Sequence, residues 1–112
     1  MNTKYTSFIK KVDGIVLENL NELVVTPEFL SREIGLSKMQ IHRKIKKATG
    51  RSTARYIRFV KLCSAKEYLL GTDWPISQIA FKVGFQDHSY FTKSFVEEFG
   101  VNPTAFRKEY IK

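Results

Sequence analysis

The chain has one cysteine, two histidines and three prolines in 112 residues, and no apolar run that approaches the ~18 residues of a membrane-spanning helix. Each shortage removes a class of protein. Cys63 alone cannot close an internal disulfide, and with only His42 and His88 beside it there is no closely spaced ligand set for zinc. Neither a metal nor another cofactor is expected. The N-terminal MNTKYTSFIKK lacks the basic-then-apolar order of a signal peptide, which predicts a soluble, cytoplasmic chain without membrane contact. Catalysis finds no support either: there is no carboxylate pair or phosphate-binding glycine loop, and the one soft nucleophile, Cys63, falls on the expected inner side of a helix.

Acidic residues are scarce in one region in particular. Residues 1–31 carry three Lys/Arg against four Asp/Glu, residues 32–70 eleven against two, and residues 71–112 five against five. The whole net charge of +8 therefore arises in the middle third. A concentrated basic stripe produces a local potential that can hold phosphates, so its placement points to a polyanionic partner more strongly than the total does. With 43% hydrophobic and 13% aromatic residues, the chain has material for the core of one domain, residues 1–112.

Helical signals recur along the chain and strand signals do not. Phe8, Val12, Ile15, Val16 and Leu20 share one helical face. Thr26 as N-cap, Pro27 at the first helical position and Gly35 as terminator bound a second helix over 27–34. Ser37 with Gln40 forms a capping box that starts a third helix at Ser37 or Lys38, and Gly50 ends it. A longer helix follows over 52–70, with Tyr56, Val60, Cys63, Tyr68 and Leu69 expected inside and Arg55, Arg58 and Lys61 outside. Three more start near Pro75, Asp87 and Asn102, and the middle one of these ends at Gly100. The fold expected is all-α, with seven helices and short connections.

The chain also repeats itself. At an offset of 49, Leu30, Ser31, Ile34 and Gly35 fall on Ile79, Ala80, Val83 and Gly84; at 50, Ile41, Arg43, Ile45 and Gly50 fall on Phe91, Lys93, Phe95 and Gly100. Each copy places a small residue four before a glycine, with an apolar anchor six or seven residues after it. The small residue lets two helices approach, the glycine permits a sharp turn, and the anchor buries the second helix. This is the logic of a helix-turn-helix, whose second helix enters the DNA major groove. The chain thus reads as a first such subdomain over 8–50, a linker helix over 52–70 and a second subdomain over 75–110.

With Ile41 and Ile45 turned inwards, Met39, Arg43 and Lys46 turn out, flanked by His42 and Lys47. The planar fork of Arg43 can donate twice to guanine O6 and N7. His42 can give or accept one hydrogen bond, and Met39 can meet a thymine methyl. Ser37, Lys38, Lys46, Lys47, Arg51, Arg55 and Arg58 are expected at phosphates, which position a protein without specifying sequence. In the second copy Ser89 and Lys93 face out, flanked by Thr92, with His88 at the helix start; Glu97 and Glu98 stand where the first copy has Lys47 and Ala48. The first copy is expected to supply most of the affinity and the second register or modest specificity.

The run ISQIAFKVGFQDHSYFTKSFVEEFGVNPTAFRKEY resembles the C-terminal signature of the AraC/XylS transcription regulators. The likeness rests on IA..VGF at Ile79 to Phe85, SYF..SF at Ser89 to Phe95, Gly100, Pro103 and the final Phe106 and Arg107, and extends back over residues 8–110. It implies a homeodomain-like pair of helix-turn-helix subdomains joined by a rigid helix and binding adjacent major-groove segments of double-stranded DNA, with RNA polymerase as a further partner. The family's base-contacting positions fall on Met39, His42 and Arg43, and on His88, Ser89, Thr92 and Lys93; many members carry a bulky aromatic or a polar residue at the position of Met39. FIKKVDGIVLENLNEL resembles the leading helix that follows receiver domains in hybrid two-component sensors. The chain is therefore expected to be the DNA-binding end of a longer regulator, monomeric by itself, or else a short stand-alone activator. The competing reading is a helical interaction module whose basic face docks an acidic protein.

Overall fold

The computed structural model describes residues 3–20 and 25–110, and among these residues the secondary structure consists of seven α-helices. They are α1 (Thr3–Glu18), α2 (Pro27–Ile34), α3 (Lys38–Thr49), α4 (Thr53–Gly71), α5 (Ile76–Lys82), α6 (His88–Phe99) and α7 (Pro103–Tyr110). Residues 21–23 of the expected leading stretch lie outside the described residues. α1 begins five residues before the first apolar position of its stripe.

The chain divides into two compact units, 1–60 and 61–112, with the boundary inside α4. In the first, Val12 and Val16 of α1, Val25, Leu30 of α2, Ile41 and Ile45 of α3, and Tyr56, Ile57 and Val60 of α4 form one buried cluster. The Tyr56 hydroxyl donates to Asp13 Oδ1 at 2.6 Å, tying α4 to α1. In the second, Leu62, Ala65 and Leu69 of α4 join Ile79, Ala80, Val83, Phe85, Phe91, Phe95 and Phe106. Phe95 is central there, with ring centroids 4.7 Å from Phe99, 5.8 Å from Phe106 and 5.9 Å from Phe91. The Arg107 guanidinium locks this unit's frame by donating to the carbonyls of Leu69 (3.0 Å), Trp74 (2.8 Å) and Thr72 (3.2 Å).

One expectation for α4 is corrected. Cys63 and Tyr68 are only half-buried, while Ile57, Leu62 and Ala65 are buried. Lys61 and Arg58, expected outside, are half-buried, and burial pushes the Lys61 ammonium below the usual lysine range. The cause is that α4 serves two cores, so no single apolar stripe runs along it.

The repeat is visible in the backbone. Gly35 and Gly84, which follow the first helix of each pair, take φ of +81° and +95°, and Gly50 and Gly100, which close the second, take +78° and +76°. It also reaches one helix further than the sequence comparison. At the offset of 50, Ser52, Thr53 and Tyr56 fall on Asn102, Pro103 and Phe106. Ser52 Oγ accepts from Arg55 N and Asn102 Oδ1 from Ala105 N, so both third helices begin with the same cap. Tyr56 and Phe106 are each 6% exposed, anchoring those helices alike.

Candidate nucleic-acid interface

In the first unit the helix α3 is set by its ends. Ser37 Oγ accepts from Gln40 N at 3.1 Å and Gln40 Oε1 from Ser37 N at 2.9 Å, a complete capping box. At the other end the Gly50 N–H reaches Lys46 O at 2.8 Å. Ile41 and Ile45 are fully buried, which turns Met39, His42, Arg43, Lys46 and Lys47 to the exterior. Met39 is 71% exposed, as is Phe81 in the second unit, so exposure alone does not single it out.

The expected site residues fall into groups. Lys38, Met39 and His42 line one hollow with Pro27 and Glu28 of α2 and Ser52, Thr53 and Ala54 at the start of α4. His42, Arg43, Lys46 and Lys47 line another along α3, with Lys44. His42 belongs to both. Arg51 is half-buried with its guanidinium 4.1 Å over the Phe59 ring, Arg55 is exposed on the first turn of α4, and Arg58 is half-buried. Ser37 is exposed, and its oxygen already serves as the α3 cap.

Two contacts qualify the cationic set. Lys46 Nζ donates to Gly50 O at 3.1 Å, complementing the negative end of its own helix. Lys38 Nζ lies 3.1 Å from Glu28 Oε1. The Glu28 carboxyl is held below the ordinary carboxylate range, first by its own backbone N–H and then by Lys38 as donor and as charge. Sequence reading passed over Glu28, whose pairing spans ten positions and two helices. At the start of α4 it named Arg55 but not the N–H groups of Thr53 and Ala54, which as the first two of the helix have no intrahelical acceptors. Ser52 as an N-cap residue was the available signal.

In the second unit Asp87 Oδ1 accepts from Ser89 N (2.8 Å) and Tyr90 N (3.3 Å) to start α6. Phe91 and Phe95 are fully buried; His88, Ser89 and Lys93 are exposed and Thr92 is half-buried beside them. Tyr90, 48% exposed, leans on Phe85 with centroids 5.9 Å apart. This face offers hydrogen-bonding groups of little net charge, with Glu97 exposed further along.

Among the described residues no group of three or more His, Cys, Asp or Glu is placed to hold a metal ion, and no helix is long and apolar enough to cross a membrane. What the geometry supplies is two buried helix pairs, each presenting the outer face of its second helix, one of them strongly basic.

Comparison with known proteins agrees. A family model described as a helix-turn-helix domain matches residues 30–109. The transcriptional activator NphR of Rhodococcus sp. is 29% identical over 107 residues, which are 96% of this chain and 32% of that protein. A transcriptional regulator of the AraC-type DNA-binding domain-containing proteins, from Chromobacterium violaceum, matches in fold with a TM-score of 0.89 at 21% identity, covering 99% of this chain and 98% of that one. The C-terminal domain of AraT, a response regulator from Geobacillus stearothermophilus, gives 0.81 at 25% identity, covering 93% and 86%. The chain spans about a third or less of the length of the curated relatives it matches. It is a DNA-binding domain rather than an enzyme, and it belongs to the AraC family of helix-turn-helix domains.

Proposed function

We propose that this domain reads duplex DNA in a sequence-specific manner for transcriptional control, each recognition helix taking its own major-groove segment. The observation that carries the reading is the division of α3: Ile41 and Ile45 buried, Met39, His42 and Arg43 exposed, and Lys46 and Lys47 exposed beyond them. Met39, His42 and Arg43 contact base edges, Arg43 by the bidentate geometry that suits guanine. Lys46, Lys47, Arg55 and the Phe59-stacked Arg51 meet phosphates, as do Ser37 and Arg58. In the second unit His88, Ser89, Thr92 and Lys93 add register and modest specificity.

NphR is a transcriptional activator and AraT a response regulator. By that likeness the domain serves transcriptional activation with two-component signalling as its input, and RNA polymerase is the further partner that the family resemblance implies.

Selection of bound sequences from a random duplex pool, followed by titration at several salt concentrations, tests the reading. An asymmetric motif with two unlike halves is expected; an enriched pool without a motif sinks it, and equal binding to heparin favours a basic face for an acidic protein instead. Arg43→Ala should weaken binding by roughly 1–3 kcal/mol and relax one base position, whereas Lys47→Ala should weaken all sequences alike and lower the salt slope by about 1. Matching, sequence-independent losses for both variants would make Arg43 another phosphate contact.

A further inference from the structure

Beside the base-reading face of α3 stands a carboxylate. Glu28 lines the same hollow as Lys38, Met39 and His42 and holds Lys38 Nζ at 3.1 Å. The two partners are not equally placed. Glu28 lies in the first turn of α2, where the helix dipole favours an anion, and also accepts from its own backbone N–H. Lys38 is the first residue of α3, where the dipole disfavours a cation. The acid is therefore the fixed member and the ammonium the movable one. Their side chains are 57% and 58% exposed, so the pair opens at small cost. At the repeat offsets, Glu28 and Lys38 fall on Ser77 and His88, so the pairing belongs to the strongly basic copy alone.

We propose that Glu28 is a brake on DNA-backbone binding: it occupies the Lys38 ammonium in the free protein, and a phosphate must displace it to gain that charge. The proposal rests on the reading of this face as the DNA-contacting surface. While the pair holds, Lys38 adds little to counterion release, and the carboxylate repels phosphates irrespective of base sequence. That penalty falls on every duplex alike, so Glu28 lowers absolute affinity, and at a given protein concentration only sites with strong base contacts stay bound. The carboxylate does this without itself touching a base.

Glu28→Gln, Lys38→Met and the double variant, titrated against a random-sequence duplex and the selected site over a range of salt, test this. Glu28→Gln should tighten random-duplex binding by about twofold to fivefold and steepen its salt slope by about 0.9, with the same gain at the selected site. Adding Lys38→Met should cancel most of both gains, and by more than the same change removes from the wild type. A gain that survives loss of Lys38 reflects the carboxylate's field alone and overturns the pairing. Unchanged or weaker binding by Glu28→Gln overturns the brake. A wild type that binds no duplex at all removes the DNA reading itself and is recognised before any variant is compared.

Discussion

Thr53 has a buried hydroxyl without a hydrogen-bond partner at a residue only 3% exposed. A buried polar group left unmade costs ~1–3 kcal/mol, more than the same volume filled by a methyl. Its repeat counterpart, Pro103, is fully buried and apolar, which shows what the position accepts. Thr53→Val should therefore raise stability by about 1 kcal/mol, seen as a higher urea midpoint at unchanged m. A lower midpoint would mean that the hydroxyl is satisfied in solution. Residues of this kind were the least legible in the sequence. Arg43 and His42 stood out because helical phase alone turns them outwards from Ile41 and Ile45. Nothing in composition marks Thr53 as unsatisfied, or Glu28 as paired with Lys38, since both depend on which helices meet.

At the scale of the element, the ends of helices carried most of the readable information. Thr26, Ser37 and Asp87 accept from backbone N–H groups at the starts of α2, α3 and α6, and the glycines after α2, α3 and α6 adopt the left-handed conformation. Those signals are local, so sequence exposes them. The inner face of α4 is not local: Tyr56, Ile57 and Val60 answer to one core and Leu62, Ala65 and Leu69 to the other, and a single-stripe reading misplaced Cys63 and Tyr68. α5 shows a subtler form of the same limit, ending at Lys82 with Gly84 two residues on, because Phe85 N returns to Ala80 O at 2.9 Å and closes the turn. The glycine ends can be tested without steric ambiguity. A Cβ at Gly50 meets nothing within 4 Å, so the cost of Gly50→Ala is backbone strain alone, ~1–2 kcal/mol. Gly50→Asn should cost less, since asparagine tolerates that conformation better. Equal stability of all three forms by denaturant unfolding would show that α3 does not need a left-handed terminus. Ser37→Ala should cost a further ~1 kcal/mol by uncapping the other end of α3.

Over the whole molecule the two copies share a frame and differ in charge. Residues 1–60 hold twelve Lys/Arg against five Asp/Glu, and residues 61–112 seven against six, leaving +7 and +1. The twin helix pairs account for the shared frame, and the side chains each unit carries account for the charge difference. Counterion release scales with the number of phosphates neutralised, about 0.9 in salt slope for each, so the basic unit should carry most of the salt dependence. Replacing Lys46 and Lys47 together with Gln should lower the slope by about 1.8 and weaken every duplex alike. Replacing Lys82 and Lys108, both exposed in the second unit, should lower it by less than half as much. Conversely, base changes in the part of the selected site read by the second unit should cost discrimination that largely persists at high salt, because Ser89 and Thr92 carry it by neutral hydrogen bonds and Lys93 is the one formal cation among its readers. Equal slope losses from the two double variants would mean that the units grip the backbone equally. The +7 of the first would then serve solubility and encounter rate rather than the bound state.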